Sequence, residues 1–283
     1  MNVKLVTDST CYIDENTLKE LDIKTVHLTV NFPDESFDET SVPYDYFYKK
    51  IEKSNTIPTS SQPTLAEIYN TFKEIVSRGE AVLGVFLSSK MSGTYATALS
   101  AKQMILEKYP HAIINILDSK TNCMAMGIQV VEGAMMAQAG KKMEEVIQTV
   151  EHVSKRVQFL FVPSSLQYLI KGGRIGGASA LIGSLLQIRP ILYVNDGMTD
   201  VMGRIRGTRK AINHMLHILN EDAKNYGLKH LLVHHIHDSN QGKQLAEKLT
   251  AQYDRIVPSL PVGPVIGAHV GPGTVGIVYS TNK

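Results

Sequence analysis

An alternation in the first half of the chain restricts the fold most. The run "AVLGVFLS", beginning at Ala81, is short and almost wholly apolar, the pattern of a strand covered on both faces. A helical pattern follows in "SGTYATALSAKQMILEKY", then a second strand pattern, "AIINILDS", then a second helical one, "MAMGIQVVEGAMMAQAG". Strand, turn and helix repeating in this way predict an α/β fold with a doubly wound parallel sheet. The opening fits the same plan: "VKLVTD" as a strand, "STCYIDENTLKELD" as a small capped helix, and "IKTVHLTVNF" as a second strand. The segment "TLAEIYNTFKEIVSRG" places Leu65, Ile68, Phe72, Ile75 and Val76 on one helical face. Gly79 and Gly140 fall where helices should end. Residues 33–43 and 55–63, rich in proline and small polar residues, read as loops.

The second half has a different rhythm. "QFLFVP" reads as the first strand of a second domain, so the expected division is 1–156 and 157–283. In "RPILYVNDGMTDVMGRI" an Asp-Gly pair separates two strand-like runs, a hairpin signal. "KHLLVHHIH" and "AHVGPGTVGIVYS" supply further strands, with helices expected in "GTRKAINHMLHILNEDAKNYG" and "NQGKQLAEKLTAQY". Hairpins mixed with helices predict an α+β domain with a mixed or antiparallel sheet.

Composition excludes several classes. A net charge of +2 over 283 residues gives no whole-molecule attraction for nucleic acid or an anionic membrane. No stretch of about 18 uncharged apolar residues exists, so no integral membrane association is expected. The apolar stretch "GGASALIGSLLQI" is helix-sized and stops at Arg189. The opening ten residues lack an apolar leader core, and Cys11 and Cys123 make no disulfide framework. Both are expected as buried reduced thiols in a cytoplasmic protein.

Several motifs look functional and fail on context. "GPGTVG" at 271–276 matches the dinucleotide-binding glycine pattern, but a strand follows it where a helix is required, and the chain ends seven residues later. It reads as a tight turn. In "HHIHD" at 234–238, His235 and His237 share a strand face that His234 does not, and no second ligand group completes a metal site. There is no G-x-S-x-G elbow and no P-loop.

Three hydroxyl-rich corners remain: "TDST" at 7–10, "TSSQPT" at 59–64 and "SSKMSGT" at 88–94. The third follows a parallel strand and opens a helix, with Ser92 expected as N-cap and Thr94 in the first turn. In a doubly wound sheet such corners lie at the carboxyl edge, where ligands bind and free N–H groups attract anions. Caps alone explain one corner. Three suggest one shared polar site, with Ser9, Thr59, Ser60, Ser92 and Thr94 as candidates. The second half adds two basic loops, one with Lys171 and Arg174 around two glycines, the other with Arg204, Arg206, Arg209 and Lys210. A solvated face is the ordinary explanation; the other is an anionic or acidic partner.

Taken together, "TDST", "SSQP" at 60–63, "SSKMSGTY" at 88–95, "LIKGGRIG" at 169–176, "IRPIL" at 188–192 and "AHVGPGTVGI" at 268–277 resemble the DegV family of bacterial lipid-binding proteins. The pieces occur in the family's order and span the chain. The resemblance implies two α/β domains holding one long-chain fatty acid, such as palmitate, and no other cofactor. It implies a carrier rather than an enzyme: a subunit that presents the carboxylate to a partner fatty acid kinase, which makes the acyl phosphate. By the same resemblance Ser92 and Ser60 hydrogen-bond the carboxylate and His269 reaches it from the second domain. Ser60 stands where the family has threonine, with Thr59 beside it as an alternative hydroxyl. Arg174, Arg206 and Arg209, with Lys171, match basic loops facing the kinase or phosphoryl donor. Hydroxyls and one imidazole hold a carboxylate without neutralising it, which leaves it nucleophilic for phosphoryl transfer. Two alternatives stay open: an acyl- or phosphoryl-transfer enzyme with Ser92 as nucleophile and His269 as base, and a lipid-sensing regulatory module.

Overall fold

A computed structural model describes residues 2–54, 56–181 and 188–283. The chain first runs through β1 (Val3–Asp8), α1 (Glu15–Glu20), β2 (Lys24–Val26), β3 (Thr29–Asn31), β4 (Ser36–Asp38), α2 (Tyr44–Ser54), β5 (Thr59–Ser61), α3 (Leu65–Ser77), β6 (Ala81–Phe86), α4 (Thr94–Lys108), β7 (Ile114–Asp118), α5 (Cys123–Gln138) and α6 (Met143–Ser154). It continues through β8 (Val157–Val162), α7 (Gln167–Lys171), β9 (Ile188–Asn195), β10 (Met198–Arg206), α8 (Thr208–Tyr226), β11 (His230–Ile236), α9 (Ser239–Tyr253), β12 (Ser259–Pro261), α10 (Pro264–Val270) and β13 (Thr274–Ser280).

The expected parallel sheet is present, in the order β2-β1-β6-β7. All six residues of β6 are buried, as its unbroken apolar run requires. The chain crosses from β2 over β1 to β6, so the strand order reverses between β1 and β6. The crevice at their carboxyl ends is where an open α/β sheet binds ligands. The second sheet, β10-β9-β8-β13-β11-β12, is mixed: antiparallel throughout except where β12 lies parallel to β11. Asp196 and Gly197 both have positive φ, 43° and 82°, so the Asp-Gly pair makes the hairpin turn between β9 and β10.

Pleat alternation distributes the core. In β8, Leu160 and Val162 face α8 and α9, while Phe159 and Phe161 face the opposite way, toward α5 and α10. In the parallel sheet, Val6, Val82 and Phe86 pack with Ile68, Phe72 and Ile75 of α3 and Ala98, Ala101 and Ile105 of α4. Leu5, Leu83 and Val85 pack toward α5 and α6.

Five expectations need correction. The run 23–32 is two short strands: β2 joins the parallel sheet, and β3 leaves it for a three-stranded antiparallel sheet, β4-β3-β5. That sheet recruits residues 36–38 and 59–61, both read as loop, because short polar strands carry little apolar alternation to announce them. "AHV" at 268–270 ends helix α10; the strand begins at Thr274. Gly93, not Ser92, is the N-cap of α4. Leu65 is 38 % exposed, so the inward face of α3 is Ile68, Phe72 and Ile75. Of the apolar helix expected over 176–188, Gly176–Leu181 forms a 3-10 helix, Ile188 opens β9, and 182–187 lie outside the described residues.

Candidate functional site

Between the two sheets lies a cavity of about 340 Å³, at the small end of ordinary ligand sites. Its walls come from both halves of the chain. Leu28, Leu87, Phe159, Phe161, Leu169, Val194, Val265, Ile266 and Val270 make it predominantly apolar. Ser60, Ser61, Gln62, Ser92, Asn122, Arg174, Thr199 and His269 supply its polar groups. Leu87 and Met91 to Gly93 enter from the carboxyl end of β6, the switch point of the parallel sheet.

The polar groups cluster. Ser60 Oγ and His269 Nε2 are 2.8 Å apart, across 209 residues of sequence. Strand β5 delivers the serine by pairing Ser60 with Val30 of β3; α10 delivers the histidine. Burial, aided by the Arg174 charge, lowers the His269 pKa to about 4, so the ring is neutral at pH 7. Its Nδ1 is buried and has no hydrogen-bond partner among the described residues. Between them Ser60 and neutral His269 carry two polar protons, and their mutual hydrogen bond consumes one. Whichever tautomer is present, one donor is left over, on Ser60 Oγ or on His269 Nδ1.

Ser92 Oγ lies 2.9 Å from Thr94 Oγ1 and accepts the Thr94 N–H at 3.3 Å. Thr94 is fully buried behind it. If Thr94 donates its hydroxyl proton, Ser92 is free to donate its own outward. Gln62 crosses to Thr97 of α4 at 2.5 Å and presses on Gly93, where a Cβ would stand 1.9 Å from Gln62 Oε1. Only glycine permits that approach. Arg174 is partly buried at the cavity wall, with Nε on Met91 O (3.0 Å) and Nη1 on Gly172 O (2.5 Å).

The candidates therefore separate by position. Ser60, Ser92 and His269 share the cavity, with Thr94 supporting Ser92. Thr59 is exposed and is not in the wall. Ser9 is buried elsewhere: its hydroxyl is bound to Glu39 and accepts the Leu28 N–H at 3.1 Å. The "TDST" corner is consumed internally, since Asp8 takes the Thr10 N–H and hydroxyl and the Leu87 N–H, which joins β1 to the end of β6. Arg174, grouped by sequence with the outward basic residues, lines the cavity. Lys171, Arg206 and Arg209 are exposed. The imidazole is paired with Ser60, not Ser92, and among the described residues no group orients the ring through Nδ1, so the Ser92–His269 nucleophile–base pair is not assembled there. The "HHIHD" rings go separate ways: His234 binds Met124 N and Leu260 O, and His237 stacks on Tyr48 at 4.9 Å.

Sequence reasoning missed Asn122, Phe159, Phe161 and Gln62. Alternation within "VQFLFV" marks Phe159 and Phe161 as facing together, but nothing in the sequence says that this face meets a cavity rather than a helix.

A family model described as "Uncharacterised protein, DegV family" matches residues 2–282. A DegV domain-containing protein of Clostridium acetobutylicum is 44 % identical over 284 residues, covering 100 % of this chain and 99 % of that protein. Two solved structures superpose closely. One is DegV of Bacillus subtilis, described as a fatty acid binding protein, with TM-score 0.86, 33 % identity and 99 % of each chain covered. The other is a stearic acid-binding protein of Eubacterium ventriosum, with TM-score 0.90, 25 % identity, 99 % of this chain and 98 % of that one. Among the described residues, no helix is long and apolar enough to cross a membrane.

Proposed function

The chain belongs to the DegV family, and on that premise we propose that it holds one long-chain fatty acid in the cavity between its two sheets and presents the carboxylate to a partner kinase. The observation that carries the reading is the pairing of an apolar cavity with the hydroxyl–imidazole cluster of Ser60, Ser92 and His269. The two halves, 1–156 and 157–283, act as domains that each contribute one side of the site. The setting is cytoplasmic.

The chemistry suits a carboxylate. Ser60 and neutral His269 offer one spare proton and Ser92 a second, while Arg174 adds positive charge without closing on the site. A carboxylate held by hydroxyls keeps lone pairs available for attack on a phosphoryl group, and the catalytic machinery is the kinase's. The tail supplies the affinity. About 14 buried methylenes are worth roughly 11 kcal/mol gross at about 0.8 kcal/mol each. Binding costs of several kcal/mol leave micromolar to nanomolar affinity. Phosphoryl transfer needs access to the carboxylate, and the exposed Arg206 and Arg209 are the residues we assign to kinase docking.

The test is mass spectrometry of lipid extracted from the purified protein, followed by titration of the stripped protein with palmitate. Stoichiometric long-chain fatty acid and saturable binding are expected. No extracted lipid together with no saturable binding overturns the carrier reading. Reconstitution with a fatty acid kinase should then yield acyl phosphate only when this chain is present.

A further inference from the structure

The stretch "PDESFDETSVP" reads as exposed loop, yet Glu39 within it is completely buried. Its carboxylate gathers three groups. Ser9 Oγ donates to Oε1, Tyr12 OH donates to Oε2 at 3.3 Å, and the Val265 N–H donates to Oε2 at 3.1 Å. Ser9 Oγ also accepts from Leu28 N, and Tyr12 OH also accepts from Ile266 N (3.4 Å), so both hydroxyls link Glu39 onward to backbone amides. The Val265 N–H can only donate, so Oε2 is held as an acceptor, and burial raises the Glu39 pKa to about 7, so the group is ionised above that pH.

The contact spans the molecule. Ser9 and Tyr12 follow β1, whereas Val265 and Ile266 are in the first turn of α10 and line the cavity. His269 is four residues beyond Val265, one helical turn along the same face. Close approach is built in: a Cβ on Gly263 would lie 2.6 Å from Tyr12 Cε1 and 3.1 Å from Glu39 Oε2, and one on Gly267 would lie 2.2 Å from Tyr48 OH. Tyr48 OH in turn donates to Val262 O at 2.9 Å.

We propose that Glu39 is a positioning residue for the carboxylate end of the ligand cavity: by holding the Val265 amide and the Tyr12 hydroxyl it sets α10 and therefore where His269 stands. This rests on the fatty acid reading above. Glu39 is not in the cavity wall; it reaches the wall through α10 and, on its other side, through Leu28, which its own N–H and Ser9 both hold. Replacing it by glutamine puts an NH2 where the ionised carboxylate accepts, so at about pH 8, above the Glu39 pKa of about 7, the conservative variant should not rescue.

The experiment compares palmitate with methyl palmitate on stripped wild type, Glu39→Gln, His269→Ala and the double variant. For Glu39→Gln we expect about ten-fold weaker palmitate binding, the scale of one charged hydrogen bond. Methyl palmitate should change by less than about two-fold, and Glu39→Gln should cost little when His269 is already alanine. Equal losses for acid and ester, or an undiminished loss in the His269→Ala background, make Glu39 a support of the fold only and overturn the proposal. If Glu39→Gln does not fold, Tyr12→Phe, which keeps the ring and removes one donor, should give the same acid-specific pattern at about three-fold; equal losses for acid and ester overturn it there too. Wild type that binds no palmitate defeats the fatty acid reading instead. In that event ¹⁵N shifts of the His269 ring in the ligand-free protein still decide: they should move in Glu39→Gln while those of His230 stay. An unmoved His269 overturns the proposal.

Discussion

The two sheets are covered differently. The parallel sheet is wrapped by its own helices, α3 and α4 on one face and α5 and α6 on the other. The mixed sheet has its own long helices, α8 and α9, on one face only. Its second face, bearing Phe159, Phe161, Leu192, Leu232 and Val278, is covered by α5, borrowed from the other half, and by its own short α10. This cover does not tile that face completely, and the gap is the cavity. A candidate ligand site arises here from an unfinished core more than from any special motif.

The largest test asks whether the two faces respond differently to truncation. Phe72→Ala, in the fully wrapped face, should cost about 3–5 kcal/mol in denaturant unfolding, with or without fatty acid. Phe161→Ala should cost the ligand-free protein at least about 1 kcal/mol less, because part of its ring already lacks packing partners. It should also shift binding toward longer chains. Equal costs at the two sites would break the comparison.

Next comes completion of the unfinished face by ligand. Palmitate at about 100 times its Kd should stabilise the protein by about 2.7 kcal/mol. Hydrogen exchange should slow in β8 and α10 more than in β1 and β6. Uniform protection would mean that the gap is not where the ligand sits.

The head group contributes less than the tail. Ser92→Ala and His269→Ala should each weaken fatty acid binding by about 1.5–3 kcal/mol in calorimetric titration. The double variant should lose less than the sum if both grip one carboxylate; strict additivity would separate them.

Acidification gives a smaller net effect, because two sets of buried groups oppose each other. Burial raises Asp8 to about 6 and Glu39 to about 7, so their contribution to stability is present below the ordinary carboxylate range and is lost as pH rises toward 7. Burial lowers His234 and His269 to about 4, so theirs is present above about pH 6.5 and is lost as pH falls toward 4. Glu39→Gln removes one of the opposing slopes. Its melting temperature should fall more steeply than that of wild type between pH 6.5 and 4.5. The smallest effect is expected at the outward arginines: Arg206→Glu with Arg209→Glu should leave fatty acid affinity within a few fold, while acyl phosphate formation with a kinase falls. A large loss of lipid affinity would move these residues into the site.

Long periodic segments were legible. The runs that became β6, β8 and α3 carry their period in apolar residues, and the Asp-Gly pair announced its hairpin. Ser60 and Ser92 were reachable as candidates from their hydroxyl-rich corners, and His269 only from the family resemblance. What was not legible is long-range and polar. Strands β4 and β5 exist because β3 pairs with them, and Glu39 is buried because Ser9, Tyr12 and Val265 converge on it. No local pattern encodes such convergence. Ser9 was misplaced for the complementary reason: a hydroxyl looks the same in sequence whether its proton points to a ligand or to a neighbour.

The pleat of β8 also limits how this site can change over generations. Odd-numbered side chains Phe159 and Phe161 face the ligand side, and even-numbered Leu160 and Val162 face α8 and α9. One inserted or deleted residue would exchange the two audiences of the strand at a stroke, turning binding surface into core and core into binding surface. Point replacement at 159 and 161 alters only the ligand side. Variation in chain-length preference among descendants of this sequence is therefore channelled into substitutions at alternate positions, and β8 should keep its length while its odd residues drift.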